Sequence, residues 1–119
     1  MNEYTPPLAD GPINNEIHVF KNSEWSRTFS ILNRDTREVK EITDISFSGT
    51  VSLDGVVQGN FVFTKPSDEE FTVTLPVSVI NTLDATKCYD YDWFLVEDSV
   101  REVFAKSKLK KFETATPIS

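Results

Sequence analysis

Between Tyr89 and Asp98 the chain reads YDYDWFLVED, which sets four acidic residues among four aromatics within ten positions. Asp90 and Asp92 alternate with the aromatics, so on a strand both project from the same side. A carboxylate pair at that spacing could hold a cation, or could divide acid and base roles in a hydrolysis. Whether it does chemistry depends on what neutralises it. Few other residues could join in. The chain has one histidine, His18, and one cysteine, Cys88, too few for the Cys/His set of a structural zinc site and no basis for an intramolecular disulfide. His18 lies in the apolar run IHVF and reads as a hydrogen-bonded structural residue. The serines show no G-x-S-x-G elbow, and the acidic run at 68–70 lacks the spacing of a calcium loop and reads as a solvated turn. No cofactor and no metal are expected.

The elements around the pair suggest a structural role for it. A strand from Cys88 puts Tyr89, Tyr91, Trp93 and Leu95 on one face and Asp90, Asp92, Phe94 and Val96 on the other. The following segment, VREVFAKSKLKKF, alternates in the same way. With Asp98, Ser99 and Val100 as a hairpin loop, Leu95 faces Val103, Trp93 faces Ala105, Tyr91 faces Ser107 and Tyr89 faces Leu109. On the outer face Asp92 then meets Lys106, Asp90 meets Lys108 and Phe94 meets Phe104. Each acid thus has a lysine across the ladder, and a slip by one residue would mix the two faces. The carboxylates are expected to be structural ion-pair partners. Phe94, Val96 and Phe104 are expected to form an apolar contact patch on the outer face, unless loop 33–44 covers them. The three-residue loop lacks the usual glycine.

The remaining chain is read in the same terms. Residues 1–15 hold three prolines and form an extended arm, whose Tyr4, Leu8 and Ile13 could dock on a neighbouring subunit. Residues 16–113 form a single β domain, and 114–119 a tail. IHVF and WSRTFSIL read as strands joined by a hairpin turn at KNSE, with Trp25, Phe29 and Ile31 on one side and Arg27 among them. ISFSGTVSL alternates, with Ile45, Phe47, Val51 and Leu53 inward, and NFVFT and FTVTL follow as further strands. Proline at position 76 and the spacing of Val77, Ile80 and Leu83 predict a short crossover helix near 77–84. Tyr89, opening a strand just after this crossover, resembles the tyrosine corner of immunoglobulin-like domains. The expected fold is an all-β, antiparallel, immunoglobulin-like sandwich with that one helix. At 119 residues and a net charge of −7, the chain suits one domain with no nucleic-acid partner, and no apolar stretch is long enough for a membrane helix. The protein is expected to be cytosolic at synthesis, because the N-terminus lacks a signal-peptide pattern.

From His18 onward the order of features resembles a β-sandwich domain of tailed-bacteriophage structural proteins, including the N-terminal domain of baseplate upper proteins. The stretches that carry the resemblance are IHVFKNSEWSRTFSIL, EITDISFSGTV, FTVTLPVSVINTLDATKCYDYDW and VFAKSKLKKFE. Two departures stand out: Lys106 to Lys108 occupy the place of a glycine before the last strand, and Asp44-Ile45-Ser46 that of a Gly-Tyr pair. The resemblance implies a non-enzymatic virion protein, made in the host cytoplasm, whose partners are copies of itself or larger particle proteins. The alternative from another class is a soluble module that binds carbohydrate or peptide through Tyr4, Trp25, Tyr91 or Trp93. A hydrolase using Asp90 and Asp92 is the third possibility.

Overall fold

The structure, a computed structural model, describes residues 15–32 and 36–113. The arm up to position 14, with Tyr4, Leu8 and Ile13, and the tail at 114–119 lie outside the described residues. Eight strands and one short helix follow in order: β1 Ile17–Phe20, β2 Trp25–Phe29, β3 Ser46–Leu53, β4 Val56–Asn60, β5 Val62–Ser67, β6 Glu70–Leu75, α1 Val77–Ile80, β7 Cys88–Glu97 and β8 Val100–Phe112. They form a five-stranded sheet, β1-β8-β7-β3-β4, packed on a three-stranded sheet, β2-β6-β5. This is the immunoglobulin-like sandwich the alternation predicts, with β2, β6 and β5 in the places of strands B, E and D, and β3, β7 and β8 in those of C, F and G.

Two connections differ from the expectation. KNSE is a crossover between sheets and no hairpin, since β1 pairs in parallel with β8 while β2 pairs with β6 in the other sheet. A four-residue strand with Ile17 and Val19 buried gains more by closing the edge of the larger sheet than by pairing locally with β2. The helix is also shorter than 77–84. Pro76 stands at its N-cap, the Asn81 amide bonds back to Val77, and the chain then turns through Leu83, itself buried.

The core centres on Trp93, which is 1% exposed. Its neighbours across the ladders are Gly49 on β3 and Ala105 on β8, the two smallest side chains available, so the indole spreads over both. Trp25, Phe29 and Phe61 approach its ring with centroids 6.1, 5.6 and 5.5 Å away. Tyr89 fixes the crossover: the Asp84 amide donates to its hydroxyl at 2.7 Å, the bond back to upstream backbone that a tyrosine corner makes.

The β7–β8 hairpin holds the main correction. Tyr89–Leu109, Asp90–Lys108, Tyr91–Ser107, Asp92–Lys106 and Trp93–Ala105 are paired as the alternation predicts. Above Trp93 the ladder shifts, pairing Phe94 with Val103, Leu95 with Glu102, Val96 with Arg101 and Glu97 with Val100. The turn is therefore two residues, Asp98 and Ser99, both at positive φ (53° and 67°), and Phe104 is the extra residue of a β-bulge. The bulge turns Phe104 into the core, where it is 2% exposed beside Phe47 and Phe71, and leaves Val103 outside. Burying the larger aromatic drives this choice.

Candidate functional site

The acidic pair is held by two different partners. Lys108 Nζ donates to Asp90 Oδ1 at 2.7 Å, with both side chains about half exposed, and this carboxylate raises the lysine above its ordinary pKa. Asp92 lies opposite Lys106, but the expected ion pair does not close. Its carboxylate accepts instead from the Thr50 hydroxyl at 3.1 Å, from the strand on its other side. One acid is thus lysine-bound and the other hydroxyl-bound, and among the described residues no group of three histidine, cysteine or acidic side chains is placed to hold a metal ion. Cys88 is a free, exposed thiol.

On the same outer face of the five-stranded sheet, Phe94, Val96 and Val103 stand together, the two valines 37% and 45% exposed. Phe104 does not belong to this patch; Val103 takes its place. Arg101 lies over Phe94, its guanidinium carbon 3.9 Å from the ring centroid. Loop residues 36–44 meanwhile close the end of the sandwich, where Ile42 is fully buried and Lys40 pairs with Glu97 at 3.2 Å. Across the ladder from Phe94 and Val96 the strand offers only Ser48 and Ser46, so the patch is flat. Four of the chain's twelve basic residues, Arg101, Lys106, Lys108 and Lys110, lie on the outward side of β8. Sequence alternation found Phe94 and Val96 but missed Val103 and Arg101, because their side depends on the bulge. The absent turn glycine was the available signal, since it spoke against the loop that had placed Phe104 outside.

A second feature lies where β1 and β2, each at the edge of its sheet, stand beside each other unpaired. Here opens a cleft of about 360 Å³, lined by Phe20 of β1, by Trp25, Arg27 and Phe29 of β2, and by Tyr91 and Trp93. The inward parity of β2 puts Arg27 between two aromatics, with its guanidinium carbon 5.8 Å from the Trp25 ring centroid. Ser26 and Thr28 point the other way, to the hydroxyls of Thr74 and Thr72. The Tyr91 hydroxyl donates to the Asn15 carbonyl at 2.5 Å, and burial pushes its pKa up to about 12. His18 meets Glu16 at 3.0 Å on the same lining.

No family model matches the sequence, and no curated protein matches it. Among solved structures the chain is similar to the I67–I69 I-band fragment of titin, at 11% identity and a TM-score of 0.46, over 95% of this chain and 34% of that one. It is also similar to the extracellular fragment, stalk included, of novel immune-type receptor 11 from Ictalurus punctatus, at 10% identity and a TM-score of 0.41, over 89% of this chain and 90% of that one. The chain spans about a third of the titin fragment.

Proposed function

We propose that this domain is a non-catalytic assembly module of a bacteriophage particle, packing against copies of itself or a larger virion protein through the outer face of its five-stranded sheet. The observation that carries the reading is the Phe94–Val96–Val103 patch, in which both valines are exposed and Phe94 is partly so. The outer face of an antiparallel sheet ordinarily meets water and is polar, so three adjoining apolar side chains there favour a partner. The sequence resemblance to tailed-phage sandwich domains supports the virion as setting. Charge supports an acidic surface as partner, whether on a larger protein or elsewhere on another copy, because the four bases of this face outnumber its Asp90 and Asp92 while the whole chain is −7.

Magnitudes define how this works. Complete burial is worth about 2 kcal/mol per side chain, and since all three are already more than half buried, covering what remains contributes roughly 2–3 kcal/mol in all. Association costs about 4–15 kcal/mol in lost freedom and ordering, so the patch alone gives a weak contact. In a particle, where many copies are held side by side, such contacts suffice.

Light scattering of the full chain and of Val103→Glu tests this. At high concentration the wild type is expected to form multimers that the variant, whose exposed position tolerates charge, reduces to monomers. Equal masses for the two proteins, both multimeric, would refute this face as the interface; a wild-type monomer even at high concentration would rule out self-assembly. A second reading, a soluble binding module, is favoured by the meeting of Trp25, Tyr91 and Trp93 in the cleft.

A further inference from the structure

Along one flank the sandwich is closed by the chain itself, which passes from β4 through buried Phe61 into β5. Along the other, β1 and β2 leave the seam open, and the cleft there presents one guanidinium, that of Arg27. Arg27 makes no ion pair with any described residue, although it occupies an inward position on β2. The lining acid that could have served, Glu16, is engaged with His18. Trp93 contributes ring surface to the lining, while its indole Nε1 is fully buried, out of reach of the open cleft, and meets no acceptor among the described residues. The Tyr91 hydroxyl is already spent on Asn15. Among the described residues, what Arg27 lacks is an anionic partner.

We propose that this cleft binds a small monocarboxylate, its carboxylate against Arg27 and its apolar body against Trp25, Phe29 and Phe20. A single anion fits because one guanidinium is offered and the Glu16 carboxylate on the lining opposes a second negative charge. An apolar body fits because the walls are aromatic. A neutral sugar fits less well, since it would need several free donors and acceptors, whereas the walls are mostly aromatic around one guanidinium. The volume lies at the lower end of ligand pockets, enough for a phenyl ring with a short acid arm. This inference deepens the ligand-binding reading and is independent of the assembly face on the opposite side of the larger sheet.

The test is a titration of the isotope-labelled full chain with phenylacetate, followed by nuclear magnetic resonance, with phenylacetamide as the neutral counterpart. The two indole N–H signals separate Trp25 from Trp93. Saturable shifts of the Trp93 indole and the Arg27 side chain are expected, with a Kd on the order of 1 mM for a ligand of this size. Phenylacetamide, and phenylacetate on Arg27→Gln, should each bind at least about tenfold more weakly. Because Arg27 is exposed, the variant keeps the fold. Equal binding of amide and acid would overturn the carboxylate proposal while leaving a ligand cleft. The absence of saturable shifts with either compound at about 20 mM, roughly twenty times the expected Kd, would overturn both.

Discussion

Replacing Gly49 by alanine is expected to destabilise the domain by about 2 kcal/mol. A Cβ at this position would stand 2.6 Å from Trp93 Cδ1, 2.9 Å from the Asp92 carbonyl oxygen and 3.3 Å from Phe63 Cε1. None of these can yield cheaply. The indole is wedged among aromatic rings, and the oxygen belongs to the backbone of the paired strand. Such overpacking costs roughly 1–3 kcal/mol, and the closeness of the first two contacts puts this site toward the upper end. Against it stands the lower entropy of an unfolded chain with one glycine fewer, a gain of about 0.4–1 kcal/mol. The clash wins. Urea unfolding followed by tryptophan fluorescence measures the difference, and the melting temperature should fall by roughly 8 °C at about 4 °C per kcal/mol for a domain of this size. In a Trp93→Phe background, where the indole no longer overlies position 49, its share of the cost should vanish as a coupling of about 1 kcal/mol, the contact with the Asp92 carbonyl oxygen remaining. An unchanged or higher melting temperature for Gly49→Ala alone would refute this account of the core.

Other perturbations test other parts of the structure. Ser99→Gly should stabilise by about 1 kcal/mol in equilibrium unfolding, since Ser99 holds φ at 67° in the β7–β8 turn and glycine adopts that conformation freely. Tyr89→Phe should cost about 1–2 kcal/mol by leaving the Asp84 amide without its acceptor; an unchanged unfolding midpoint would remove the corner's role. Tyr91 gives a pH dependence. Burial raises its pKa from 10.0 to about 12, so the folded state holds this proton more tightly. Its contribution is complete below pH 10 and is lost as the pH rises toward about 12. Tyrosinate absorbance should show a component, missing from Tyr91→Phe, that ionises only toward pH 12, and the variant should flatten the loss of stability over that range.

What the sequence makes legible is the part of the fold set by parity. Ile45, Phe47 and Val51 alternate with serines and threonine, which is enough to define β3 and its buried side. The lower β7–β8 ladder follows because aromatic, small and charged residues agree on both faces in only one register. Its upper part does not, since a three-residue loop with a regular ladder and a two-residue turn with a one-residue bulge use the same number of residues. The two give identical pairings below Trp93 and opposite sides for Phe104; only its burial against Phe47 and Phe71 decides between them. The partner of β1 is equally illegible. Ile17 meets Leu109, a pairing ninety-two positions away that no local pattern encodes. Arg27 could be seen among inward aromatics, but the cleft around it requires knowing that β1 and β2 end up as edges of different sheets.

The parallel pairing of β1 with β8 gives the domain a direction in which it resists load. Ile17 lies beside Leu109 and Phe20 beside Phe112, so the first and last strands of the sandwich run side by side the same way. A pull on the start of β1 and the end of β8 draws these strands past each other, and their cross-links must give way together. A pull across the β3–β4 turn at Gly55 would open its ladder one rung at a time. Stretching single molecules between the two pairs of points should show the higher rupture force for the first.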